Sequence, residues 1–66
     1  MEKNYDVIAW YNENSQRVIA RGLRDIACAI NYADDEFARN RGAIVSVITP
    51  NGFTKYEISE FGVQYM

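Results

Sequence analysis

The sequence contains no histidine and a single cysteine, Cys28, among 66 residues. Those two shortages remove much chemistry at once. Without histidine the usual proton acceptor near neutral pH is missing, and Cys28 has no imidazole to activate it as a nucleophile. One thiol cannot close an internal disulfide, and a zinc site is left almost without ligands. No metal and no cofactor are therefore expected. The one proline and four glycines (Gly22, Gly42, Gly52 and Gly62) are scattered punctuation. They form no phosphate-cradling loop such as GxGxxG or GxxxxGK[ST], and no Ser-His-Asp, CxxC or HExxH arrangement is present. A net charge of −2 argues against binding governed by phosphate neutralisation. No apolar run approaches membrane-spanning length, and the opening residues MEKNYD lack the apolar core of a signal peptide. A lone free thiol fits a reducing compartment, so the expected location is cytoplasmic, away from membranes.

What is present is a folded composition, since nearly half of the residues are apolar and nine are aromatic. The length allows one domain, residues 1–66, with no room for a second core. Such a chain buries only about 60% of the surface its unfolded form exposes. Small domains compensate with disulfides, metals or association. The first two are excluded by counting, which leaves association with a second copy, as a homodimer, or with another protein.

Taken in order, Met1 to Asn4 reads as a polar lead-in and Tyr5–Tyr11 as a strand rich in β-branched and aromatic residues. The turn formers Asn12-Glu13-Asn14-Ser15 and a second run, Gln16–Arg21, complete a hairpin. Arg17 and Arg21 flank that second run as they would a protected edge. The stretch GLRDIACAINYADDEFARNRG, Gly22 to Gly42, predicts a helix over about 23–40. Leu23, Ile26, Ala27, Ile30, Ala33 and Phe37 recur at the spacing of one helical face. Gly22 is the expected N-cap, with Asp25 at the third helical position. Arg39 and Arg41 fall in the expected last turn, Gly42 is the expected residue after the C-cap, and Asp35 and Arg39 are spaced to pair. A strand over Ala43–Thr49 follows. Pro50-Asn51-Gly52 is a strong hairpin signal, with glycine taking the left-handed site, and Phe53–Ile58 is the return strand. The tail from Ser59 to Met66 carries Phe61, Val63 and Tyr65, too apolar for a loosely solvated end. It is expected to dock on the domain or on a second copy.

The predicted fold class is α+β, in the order ββαββ. Placing the first strand between the second and third makes every neighbouring pair antiparallel, giving a four-stranded sheet of order 2-1-3-4 with the helix on one face. The first and third strands are apolar on both faces. If Val7, Ala9, Val45 and Val47 meet the helix, then Ile8, Trp10, Ile44 and Ile48 lie on the open side. An apolar patch of a few hundred Å² marks an interaction site or needs covering by the tail.

Individual residues sort accordingly. Asp34, near the flank of the helix stripe, reads either as a half-buried carboxylate with a raised pKa or as a boundary residue leaning into solvent. With no second carboxylate at a useful spacing, no acid–base pair can be argued. Tyr32, Cys28 and Asp35 fall on the helix face away from the stripe, where an exposed tyrosine could anchor an interface. The run Asp34-Asp35-Glu36 reads as a solvated face more readily than as a site for a basic partner. The leading expectation is a non-enzymatic protein-interaction module using Trp10, Tyr11, Tyr32, Ile44, Ile48 and Tyr56. The alternative is a dimeric nucleic-acid-binding protein using Arg17, Arg21, Arg24, Arg39 and Arg41 around the two helix ends, with aromatic residues on a sheet. No RNP-like motif accompanies those arginines, and nucleic acid is the less favoured partner.

The layout itself, a strand hairpin, one alanine-rich helix ending in glycine and then an apolar strand, resembles that of small phage proteins. Those proteins bind and inhibit host enzymes such as RNA polymerase. The resemblance lies in layout and shares no motif. It implies a small intracellular inhibitor or adaptor without indicating its target.

Overall fold

Buried and half-buried residues alternate along the first strand. A computed structural model describes residues 4–65; Met1, Lys3 and the residue between them in the lead-in, and Met66 of the tail, lie outside the described residues. In β1 (Tyr5–Asn12), Tyr5, Val7 and Ala9 are buried, whereas Asp6, Ile8 and Trp10 between them are only half-buried. The same alternation recurs in β3 (Ile44–Ile48), whose Val45 and Val47 are fully buried. Val7 stands opposite Val47 and Ala9 opposite Val45. These four branched or small side chains form the floor of the core.

The remaining elements are β2 (Ser15–Leu23), α1 (Ile26–Arg39), β4 (Thr54–Ser59) and β5 (Gly62–Tyr65). The sheet runs β2-β1-β3-β4-β5, antiparallel throughout. The class is α+β, and the first four strands lie in the order 2-1-3-4. The sheet has five strands, however, so the element order is ββαβββ and not ββαββ. The correction lies in the tail. Gly62 to Tyr65 are all exposed, too little buried to look like a core strand, yet they pair with β4 from Ser59↔Gly62 through Tyr56↔Tyr65. The Tyr56 and Tyr65 rings meet edge to face at 5.1 Å between centroids, a geometry aromatic pairs prefer. The tail therefore docks within its own chain.

The helix is shorter at its start than its apolar spacing suggests. Asp25, not Gly22, is the N-cap: its backbone is extended and its Oδ1 accepts from the Ala27 N–H at 3.0 Å. A carboxylate outranks glycine as a cap because it satisfies one of the orphan N–H groups. Gly22 instead sits within β2 at φ +69°, where the register slips by one residue, a bulge conformation that glycine tolerates. Its N–H donates to Asp6 Oδ1 at 3.0 Å. Leu23 is likewise a strand residue, opposite Tyr5. At the other end the C-cap is Asn40, whose N–H donates to the Glu36 and Phe37 carbonyls. Gly42 does not adopt a positive φ, and Arg41 and Gly42 lie in a turn closed by the Ala43 N–H on the Asn40 carbonyl at 2.9 Å. Asn40 reaches the last carbonyls first, so no left-handed glycine is needed.

The inward face is rotated from the expected stripe. Ala29, Ala33 and Glu36 are buried, with Ile30 and Phe37 packed beside them, while Ile26 and Ala27 are exposed. Two alanines at the contact allow close approach of helix to sheet. The hairpin between β3 and β4 follows its sequence signal: Gly52 is at φ +86°, and its N–H donates to the Thr49 carbonyl at 2.9 Å. The pairing of Asp35 with Arg39 is also present, at 2.9 Å on the surface.

Candidate functional site

Paired residues on neighbouring antiparallel strands point to the same side of a sheet, so the register maps the open face directly. One row reads Gln16, Trp10, Ile44. The next reads Val18, Ile8, Ser46, Glu57, Gln64, and a third reads Asp6, Ile48, Thr54. Val18, Ile8, Trp10, Ile44 and Ile48 thus form one apolar patch across three strands. Trp10 and Ile8 are half-buried by their neighbours, and Ile44 is 41% exposed. Among the described residues, α1 packs on the opposite side of the sheet, with Val7, Ala9, Val45 and Val47. Ser46 is closed off between Ile8 and Glu57 and donates its hydroxyl to Glu57 Oε1 at 3.3 Å. Two carboxylates, Asp6 and Glu57, stand in these rows, and no arginine does.

The six aromatic and aliphatic residues expected to make an interface divide among three places. Trp10, Ile44 and Ile48 share the open face. Tyr32 is exposed on the outer side of α1, where it lines a shallow depression with Cys28, Asn31 and Asp35. Tyr11 and Tyr56 lie on the helix side and serve a different purpose. The Tyr56 ring is 2% exposed, and its hydroxyl donates to Asp34 Oδ1 at 2.5 Å. Burial first, and the Asp34 bond second, push the Tyr56 hydroxyl well above the ordinary tyrosine range. The Tyr11 hydroxyl donates to Glu36 Oε2 at 2.7 Å, and Asn40 Nδ2 donates to the same oxygen at 2.8 Å. The bond to Glu36 is the main cause that raises the Tyr11 pKa, with burial behind it and Arg17 acting in the opposite direction.

These contacts change the reading of the acidic run. Asp34, Asp35 and Glu36 are not one solvated face. Glu36 is 6% exposed, Asp34 is tied to β4 and Asp35 to Arg39. On a helix, residues two apart point about 200° away from each other, so Asp34 and Glu36 reach opposite flanks of α1. One phenol from β4 and one from β1 hold the helix on either side. Asp34 is exposed, as the boundary reading has it, although its Oδ1 accepts from Tyr56. The signal that could have found this clamp is phase: Tyr11 lies in step with Tyr5, Val7 and Ala9, which face the helix.

The five arginines do not gather on the aromatic surface. Arg17 stands opposite Ala9 and hence on the helix side, Arg21 lies at the irregular end of β2, and Arg24 joins β2 to α1. Arg39 is paired, and Arg41 is in the turn beyond the helix. Among the described residues, no group of three histidine, cysteine, aspartate or glutamate side chains is placed to hold a metal ion. No helix among the described residues is long and apolar enough to cross a membrane. Comparison with protein-family models, curated proteins and solved structures finds no match for the chain.

Proposed function

We propose that the protein is a non-enzymatic interaction module that binds another protein through the open face of its sheet. It acts by occupying the partner's surface, as an inhibitor or adaptor does. The observation that carries this reading is the uncovered patch of Val18, Ile8, Trp10, Ile44 and Ile48 in continuous register. A patch of a few hundred Å², covered at about 25 cal/mol per Å², contributes several kcal/mol. Trp10, flanked by Ile8, Ile44 and Gln16, supplies the aromatic anchor that interface hot spots favour. Asp6 and Glu57 in the same rows favour a partner that presents apolar and basic groups, and disfavour a phosphate backbone. Tyr32 and its shallow depression offer a second, smaller contact on the far side.

The test is affinity capture from a lysate with the wild-type chain and with Trp10→Ala, Ile44→Glu and Tyr32→Ala, each checked for native secondary structure. Loss of the same bound protein with the first two variants supports the open face. Capture unaltered by both removes it, and salt-sensitive retention on single-stranded nucleic acid in place of protein would favour the arginines instead.

A further inference from the structure

The two edges of the sheet are built differently. The β2 edge carries Arg17 and Arg21, and its register with β1 slips between Tyr5 and Val7, between Val7 and Ile8, and again between Trp10 and Asn12. Charges and bulges are the devices that keep an edge from pairing with another chain. The β5 edge has neither: its sequence Gly-Val-Gln-Tyr is uncharged and without proline, and its register with β4 is unbroken. α1 packs on β1 to β4 but does not reach β5. Val63 and Tyr65, in register with the helix-side residues Ile58 and Tyr56, are therefore left uncovered, Tyr65 at 72% exposure. Phe61 in the preceding turn is 90% exposed.

We propose that the β5 edge takes a second copy of this chain by antiparallel strand addition, joining two five-stranded sheets into one across a twofold axis. An open edge offers backbone N–H and C=O groups that another extended strand satisfies. This strand is complementary to itself. With Gln64 opposite Gln64 of the second copy, Val63 of each chain lies against Tyr65 of the other, on the helix side where α1 leaves room. A twofold axis perpendicular to the sheet keeps both helices on that side. Being uncharged, the paired strands meet without like-charge repulsion, which the Arg17 and Arg21 edge could not offer. The apolar side chains involved amount to on the order of 300 Å² per copy, which places the dimer in the weak class. The surface is separate from the open face and does not depend on it.

The experiment is sedimentation equilibrium from about 10 μM to 1 mM, a range suited to a small interface, together with amide hydrogen exchange at both limits. Wild type is expected to dimerise, with the amides of residues 63–65 gaining protection as concentration rises. Val63→Lys, at an exposed position, is expected to raise the dissociation constant at least tenfold, while its circular dichroism stays native. Val18→Lys, on the open face, is the matched control and leaves the dimer intact. A wild-type monomer throughout the range overturns the proposal. So does a dimer insensitive to Val63→Lys, or one abolished by Val18→Lys, which would relocate association to the open face.

Discussion

The two faces of this sheet are made by alternate residues of the same strands, and both are apolar at their centre. One is closed by α1, and among the described residues no helix packs on the other. Hydrophobicity alone does not explain the choice, since Ile8, Trp10, Ile44 and Ile48 are as apolar as Val7, Ala9, Val45 and Val47. The difference lies in size and in handles. The covered face is floored by valines and an alanine beneath Ala29 and Ala33, so the helix can come close. It also carries Tyr11 and Tyr56, whose hydroxyls reach Glu36 and Asp34 on opposite flanks of α1. The open face has a tryptophan and three isoleucines, shapes suited to an incoming surface, with Asp6 and Glu57 in their rows. Polar anchoring holds α1 on one side, and the other is the side through which the proposed partner would bind.

That contrast can be broken most sharply by placing a charge on each face in turn. Val47→Asp, fully buried, is expected to cost more than about 4 kcal/mol and leave the chain largely unfolded at room temperature. Ile44→Asp, four-tenths exposed on the open face, is expected to stay within about 1 kcal/mol of wild type in urea denaturation. Equal losses would mean that the open face is a second core.

The phenol–carboxylate clamp comes next. Glu36→Leu removes the acceptor of both Tyr11 and Asn40 and is expected to cost about 2 kcal/mol. Combined with Tyr11→Phe it should cost less than the sum of the two single changes, because one unsatisfied partner has gone. Strict additivity in thermal melts would show that the bond does not hold the helix.

A pH titration gives the third expectation. Tyr56 and Tyr11 both have folded-state pKa values raised above the free-tyrosine value near 10. Their contribution is fully present below about pH 10 and is lost as pH rises through the folded values. Stability measured by circular dichroism should therefore be insensitive to these groups up to that point and fall above it. Tyr56→Phe should be less stable at pH 7 yet decline less steeply in alkali. An unchanged alkaline slope in that variant would remove burial and the Asp34 bond as the cause. The smallest effect is expected from Asp35→Ala, whose exposed ion pair with Arg39 is worth about 0.3–0.5 kcal/mol; a melting point shifted by more than a few degrees would point to a contact beyond that pair.

Legibility in the sequence followed the range of the interaction. The Pro50–Gly52 turn and the Asp35–Arg39 pair depend on residues within one turn of each other and were readable directly. The strand order could be read because placing the first strand beside the third makes all neighbours antiparallel and also puts the two most apolar strands in the centre. The helix start is not legible in the sequence, because Gly22 and Asp25 are both acceptable caps and Leu23 is apolar in either a strand or a helix. Its partner Tyr5, eighteen positions earlier in the chain, decides the matter. Of the candidate site, alternation shows that Trp10 shares a face with Ile8, and Ile44 with Ile48, but not which face the helix covers. The placement of Tyr11 and Tyr56 was missed, since aromatic character says nothing about which hydroxyl meets a carboxylate on another element.

Periodicity, turn chemistry and the lack of histidine thus determined the element types through the fourth strand, the apolar character of both sheet faces and the absence of any histidine-based site. These are properties of neighbouring residues and of composition. Tertiary structure alone decided that the helix covers the Val7 face, that Glu36 is buried and that the tail becomes a fifth strand. Each of those rests on pairing between distant segments, whose strength depends on the surface they jointly remove from water and on the hydrogen bonds completed only after they meet.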